Sequence, residues 1–263
     1  MYKSVAIVFP GQGSQFMGML SDIAAVYPSV QETFKRASSV LDYDLYKLVQ
    51  DGPEKQLNIT QYTQPALLTA SVALWDLWYK ANSSAPRVVA GHSVGEYAAL
   101  VAAQVLDFED AVAAVSYRGQ FMQEAVAQGE GAVAAVLGLS NQDIQAICVR
   151  ASGEEFVTGV NFNSPGQVVI AGHTSAVERA LVLAKEEGAK RTVLLPISVP
   201  VHCKLMQSAA DKLKLELDKI EFKQPQIPLM QNVSCEIENN PAQIKAQLVR
   251  QVVEPVNWVQ MVK

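Results

Sequence analysis

The sequence predicts an α/β protein with a large domain built on a mostly parallel sheet and a small domain inserted into it. Three observations carry this. Gly91-His92-Ser93-Val94-Gly95 lies between the apolar stretch Val88–Ala90 and a helix-forming run, Glu96–Gln104, which is the strand–turn–helix order of a G-x-S-x-G elbow. Upstream of it, strand and helix signals alternate, the pattern of parallel strands covered by helices. From Gly131 to Ile197 the order changes to βαββαβ, the ferredoxin-like unit.

In chain order, Ser4–Phe9 reads as a buried first strand ending in the turn Pro10-Gly11-Gln12-Gly13, with helical material following to Val40. Thr60–Lys80 is a long apolar periodic helix and Val88–Ala90 the strand of the elbow. Asp107 is an N-cap candidate for a helix over Asp107–Ala127. The small domain then reads as strand Ala132–Leu137, helix Asn141–Ala151, strands Phe156–Asn161 and Gln167–Gly172, helix Ser175–Glu187 and strand Lys190–Leu195. Asn163-Ser164-Pro165-Gly166 punctuates its two central strands. His202–Ile220 returns to a helix and Ile227–Val233 to a strand of the large domain. The expected division is therefore 1–128 with 198–263 for the large domain and 129–197 for the insertion. Pro255-Val256-Asn257-Trp258 opens a further helix that has no terminator before Lys263, so the chain is expected to be C-terminally shortened.

Composition narrows the function classes. With 49% hydrophobic and 18% charged residues over 263 positions, the chain has the material of a folded domain rather than a disordered one. A net charge of −5 and a pI near 5.3 give no general attraction to nucleic acid or an anionic membrane. Cys148, Cys203 and Cys235 are odd in number and without metal-site spacing, which fits a reducing cytoplasm. The N-terminal apolar run is too short for a signal peptide, and no stretch reaches the roughly 18 apolar residues of a membrane span. A monomer is the default, since no association helix stands out.

The elbow points to serine acyl chemistry, with the Ser93 hydroxyl presented at a helix N-terminus where developing negative charge is favoured. A serine nucleophile needs a base, and there are three histidines. His92 adjoins Ser93, and adjacent side chains diverge. His173 follows a strand of the small domain and reads as a surface residue. His202, in a proline-containing loop where the chain re-enters the large domain, is the better choice. Asp107, Asp110 and Asp143 lie between Ser93 and His202, but helix capping explains each, so no acidic partner is picked.

Arg118 falls on the apolar stripe of its helix with Ala111, Ala114, Val115, Met122 and Ala125. A guanidinium there either clamps a substrate carboxylate or forms a structural ion pair with Glu96 or Glu124, and spacing leaves both open. Gly11-Gln12-Gly13 lacks the third glycine of a dinucleotide fingerprint, because position 16 is Phe16. The loop is either a plain turn or a source of one oxyanion-hole amide, with Val94 supplying another.

Taken together, FPGQGSQ (Phe9–Gln15), TQPAL (Thr63–Leu67), GHSVGEYAAL (Gly91–Leu100), YRGQFMQEA (Tyr117–Ala125), NFNSPGQVVIAG (Asn161–Gly172), SVPVHCKLM (Ser198–Met206) and QVVEPVNW (Gln251–Trp258) closely resemble the malonyl-CoA:acyl-carrier-protein transacylase family. The resemblance implies an α/β-hydrolase-like large domain carrying a ferredoxin-like insertion. It also implies malonyl transfer from malonyl-CoA to acyl carrier protein in fatty acid synthesis, with Ser93 as nucleophile, His202 as base and Arg118 on the malonyl carboxylate. Gln12 and Val94 would give the oxyanion-hole amides, and the main-chain carbonyl of Gln251 would orient His202. Cofactors and metals are not used in such enzymes. Val201 departs from the serine that many relatives carry before the histidine, in a loop that touches acyl selection. Relatives also continue past the position of Lys263. Lys185, Lys190 and Arg191 mark basic surface for an acidic carrier protein. The other classes are a serine hydrolase, told apart by whether water or a thiol resolves the acyl-enzyme, a trans-acting acyltransferase of a polyketide assembly line, and a carrier-binding module with a dead site.

Overall fold

The computed structural model describes residues 5–82, 84–127, 129–197 and 199–263; Ser4 of the first expected strand and Ser198 of the histidine loop lie outside these. The elements run β1 (Ala6–Phe9), α1 (Ser21–Val26), α2 (Ser29–Val40), α3 (Leu45–Asp51), α4 (Glu54–Leu57), α5 (Thr60–Ala81), β2 (Val88–Gly91), α6 (Gly95–Ala102) and α7 (Phe108–Glu124). They continue with β3 (Gly131–Leu137), α8 (Asn141–Ser152), β4 (Val157–Ser164), β5 (Gln167–His173), α9 (Thr174–Glu186), β6 (Arg191–Leu194), α10 (Gln207–Leu217), β7 (Leu229–Met230), β8 (Ile237–Glu238), α11 (Pro241–Gln251) and α12 (Trp258–Val262). The fold is mixed α/β, with one largely parallel and one antiparallel sheet.

The chain divides into two compact units, Met1–Gln120 with Leu213–Gln231 and Glu236–Ala246, and Phe121–Lys212 with Asn232–Cys235 and Gln247–Lys263. In the first, the strand order is β1-β2-β7-β8. β1 and β7 both run parallel to β2, and β8 closes antiparallel on β7. The β1–β2 register sets Phe9 opposite Gly91, so both strands end at the same level and deliver their loops to one edge of the sheet. α5 is buried along most of its first four turns, from Thr60 to Trp75, which explains an apolar run with no single polar face.

In the second unit the strand order is β4-β5-β3-β6, all antiparallel. β4 and β5 are joined by the two-residue turn Pro165-Gly166, with Ser164 opposite Gln167 and Gly166 at φ 76°. Alternate residues of β3 face opposite ways. Ala132, Ala134 and Val136 pack with Ile144, Ile147, Val177 and Ala180 of α8 and α9, whereas Val133 and Ala135 share the other face with Cys203. Burial on both faces is why β3 reads as an unbroken apolar run.

Several expected boundaries shift for local reasons. The helix expected from His202 begins later, as a short 3-10 turn at Lys204–Met206 leading into α10, because His202 stands at φ 55°, outside helical geometry. The strand expected over Ile227–Val233 shrinks to β7, since the Gln231 N–H turns back to the Glu236 carbonyl at 3.0 Å. Val256, expected inside a terminal helix, instead bridges β4 in parallel at Asn161, and α12 starts two residues later. Helices α3, α4 and α11 and strand β8 had no counterpart in the sequence reading.

Candidate active site

The elbow is a consequence of two glycines and one strained serine. A Cβ on Gly91 would lie 2.0 Å from the Gly95 carbonyl, and one on Gly95 would lie 2.5 Å from the Phe9 carbonyl oxygen. Only hydrogen fits at either place, so α6 starts directly against the ends of β1 and β2. Between them Ser93 takes φ 55°, a left-handed conformation that non-glycine residues adopt rarely and mostly where the surroundings enforce it. The turn closes through Gly95 N–H to His92 C=O at 3.0 Å and Glu96 N–H to Ser93 C=O at 3.0 Å. The Val94 amide is not among the donors of these bonds.

Arg118 projects from α7 toward this turn. Its Nη2 donates to Ser93 Oγ at 3.2 Å and its Nη1 donates to Gln64 Oε1 at 2.8 Å. The side chain is 1% exposed, and its guanidinium carbon stands 6.0 Å from the centre of the Tyr97 ring. Burial lowers its proton affinity below that of an ordinary guanidinium, while the fields of Tyr97 and buried Glu96 act in the opposite sense. Burial likewise pushes the Tyr97 hydroxyl up to about 12. Glu124, the other ion-pair partner considered for Arg118, is held by Lys212 at 2.9 Å.

Gln12 and Val94 lie in the same unit. The Gln12 side chain donates to Thr60 Oγ1 at 3.3 Å, which ties the loop after β1 to the start of α5. Val94 is buried and caps α6.

His202 and Gln251 belong to the second unit. His202 is 1% exposed in a turn fastened by Cys203, whose Sγ donates to the Pro200 carbonyl at 3.0 Å and whose side chain packs against the β3–β5 face. Its Nδ1 meets the main-chain oxygen of Gln251, the last residue of α11, at 2.6 Å. A carbonyl oxygen can only accept, so Nδ1 carries the hydrogen and the neutral ring presents Nε2 as an acceptor.

The remaining candidates have structural duties. His173 Nδ1 accepts from the Phe156 N–H at 2.9 Å at the end of β5. Asp143 completes a capping box with Ser140 on α8, and Asp107 binds Lys223 Nζ at 2.8 Å. Asp110 lies in the first turn of α7, where an acidic side chain complements the helix dipole.

A family model described as "Acyl transferase domain" matches residues 6–263. The malonyl CoA-acyl carrier protein transacylase of Escherichia coli (strain K12) is 56% identical over 258 residues, covering 98% of this chain and 84% of the relative. This chain belongs to the malonyl CoA-acyl carrier protein transacylase family. Among solved transacylases, that of Coxiella burnetii superposes with a TM-score of 0.97 at 50% identity, covering 98% of this chain and 82% of that one. A malonyl-transacylase solved in complex with a type II PKS acyl-carrier protein has a TM-score of 0.97 at 52% identity, covering 98% of this chain and 84% of that one.

One residue of this transacylase site escaped the sequence reading. Gln64 is 1% exposed, holds Arg118, and was noted only as a letter of TQPAL. The signal was present: a glutamine within a helix whose neighbours Pro65, Ala66, Leu67 and Leu68 are all buried needs a polar partner inside the protein.

Proposed function

We propose that this transacylase moves a malonyl group from malonyl-CoA to the phosphopantetheine thiol of acyl carrier protein through a malonyl-serine ester. The observation that carries the reading is the Arg118–Ser93 hydrogen bond: a buried cation beside the nucleophile suits an acyl group that ends in a free carboxylate.

In the first half-reaction Ser93 Oγ gives its proton to His202 Nε2 and attacks the thioester carbonyl carbon. The Gln12 and Val94 amides hold the resulting oxyanion. Collapse breaks the C–S bond, and coenzyme A leaves as the thiol with the proton from His202. In the second, the carrier thiol passes its proton to His202 and attacks the ester carbonyl carbon, and Ser93 Oγ departs with that proton. Throughout, Arg118 holds the malonyl carboxylate and the Gln251 carbonyl keeps His202 in the tautomer that accepts at Nε2. The steps balance without a cofactor or metal.

The same reading treats the unit that carries the elbow as α/β-hydrolase-like and residues 129–197 as its ferredoxin-like insertion. Support comes from the parallel β1-β2-β7 arrangement and from the βαββαβ succession in the antiparallel sheet. Exposed Lys185, Lys190 and Arg191 are the surface we assign to the acidic carrier. A cytoplasmic setting fits three cysteines without a disulfide, and among the described residues no helix is long and apolar enough to cross a membrane.

The test is intact-protein mass after incubation with malonyl-CoA or acetyl-CoA, for wild type and Ser93→Ala, followed by holo acyl carrier protein. A malonyl adduct that requires Ser93 and moves to the carrier is expected. An adduct lost to water before the carrier is added would make the protein a hydrolase instead.

A further inference from the structure

His202 takes φ 55°, the same left-handed conformation as Ser93, but with Val201 and Cys203 rather than glycines on either side of it. A non-glycine residue keeps that conformation only where its surroundings fix it. The surroundings here are the antiparallel sheet of the same unit. The buried Pro200 is seated on Gly131, the first residue of β3: a Cβ at 131 would lie 2.5 Å from Pro200 Cδ and 2.6 Å from its Cγ. Around the proline, the Val201 N–H donates to the Val199 carbonyl at 2.9 Å. After the histidine, the Cys203 thiol donates back to the Pro200 carbonyl at 3.0 Å, and its side chain shares a buried cluster with Val133 and Ala135 of β3. Lys204 Nζ then stands 4.2 Å from the centre of the Phe156 ring, just before β4. The turn is gripped on both sides of His202, and from it Nδ1 meets the Gln251 carbonyl at 2.6 Å.

The proline contact is the one that transmits displacement to the backbone. A long side chain yields at its far end when something presses on it. Proline does not, because its Cδ is bonded to its own main-chain nitrogen, and a group that pushes on Cδ pushes on the chain. Two residues further along, that chain carries the imidazole. Hydrogen at position 131 lets ring and strand meet, whereas a methyl group there would be felt at His202.

We propose that Gly131 and Pro200 are a positioning pair for the base: the seat of the proline ring on β3 sets the turn from which His202 presents Nε2. This inference rests on the malonyl-transfer reading, in which His202 takes the Ser93 proton. It adds that the first strand of the antiparallel sheet contributes to acyl transfer. A base serves malonyl and acetyl thioesters alike, so the pair governs rate and not acyl choice.

The experiment is a rapid-quench measurement of acyl-serine formation, read by intact-protein mass, with malonyl-CoA and with acetyl-CoA. It compares wild type, Gly131→Ala, Pro200→Ala and the double variant. The rate constant is taken separately from the final amplitude, since a misfolded fraction lowers the amplitude and leaves the rate of the remainder unchanged. Gly131→Ala is expected to slow acylation about tenfold, by the same factor for both thioesters, as suits a reacting group moved by a fraction of an ångström. Pro200→Ala leaves the turn without its seat and is expected to be slowed several-fold. Removing the ring also makes room for the new methyl group, so the double variant is expected to acylate within about twofold of Pro200→Ala.

A wild-type rate constant in either folded single variant overturns the inference. So does a double variant that is as slow relative to Pro200→Ala as Gly131→Ala is relative to wild type, because the two positions would then act independently. Should Gly131→Ala not fold, Pro200→Ala decides alone by its rate constant. Failure of the underlying reading is seen elsewhere, in wild type that forms no malonyl-serine adduct or in His202→Ala that forms it at the wild-type rate.

Discussion

Ser93 is held at φ 55°, a conformation that costs a non-glycine residue on the order of 1–3 kcal/mol and persists only where neighbours over-determine it. The neighbours that do so are Gly91 and Gly95, and the result is a hydroxyl within reach of the Arg118 guanidinium at 3.2 Å. Removing that guanidinium tests its role directly. Arg118→Ala is expected to lower the malonyl-to-acetyl ratio of kcat/KM by about 10- to 100-fold, because a charge-assisted bond to the free carboxylate is lost and acetyl never made one. Steady-state kinetics with both thioesters checks it, and an unchanged ratio would remove Arg118 from acyl selection. At this scale the sequence was legible wherever a residue type was out of place. An arginine on an apolar stripe announced itself, but whether it met a substrate or an ion pair was not decidable from spacing, since Gln64 lies 54 positions away.

Elements were legible where a hydrophobic rhythm and a turn signal coincided. The stretch β2–Ser93–α6 is the clearest case, since Gly91 and Gly95 mark a place where backbone meets backbone with no room for a side chain. Gly95→Ala would push a methyl group to 2.5 Å from the Phe9 carbonyl oxygen and 2.6 Å from that of Pro10. Strain of that kind typically costs about 1–3 kcal/mol. The expected outcome is a lower urea midpoint together with loss of Ser93 acylation by malonyl-CoA, and wild-type values for both would show that α6 has slack. Other elements were missed for a physical reason. α11 buries Ile244 and Leu248 at four-residue spacing, and Asn240 Oδ1 accepts from the Ala242 amide at 2.9 Å as its cap. Those signals are real but short, and the polar residues between them read as loop. β8 is two residues long, below the length at which alternation can be recognised.

For the molecule as a whole, the buried ionisable groups predict how stability responds to alkali. Burial pushes the Cys148 thiol up to about 12, that of Cys203 up to about 11 and the Tyr97 hydroxyl up to about 12. In the unfolded chain thiols ionise near pH 8.5 and tyrosine near pH 10, by the usual approximate values. The folded state therefore keeps protons that the unfolded state has lost. Its stability is full below about pH 8.5 and falls as pH rises toward the folded-state values. Calorimetry should show a melting temperature that drops steadily from pH 9 to 11, roughly the window between the two sets of values, with a shallower drop in Cys148→Ala. A flat profile in wild type would mean that these groups reach solvent. The His202 turn raises a different matter, that of inheritance. Its imidazole is steered by the Gln251 carbonyl at 2.6 Å, an atom that all twenty residue types possess. Replacing the side chain at 251 cannot delete that acceptor; only rerouting the end of α11 can. What descent has to preserve there is a course of the main chain, and the gene records it nowhere as a single codon.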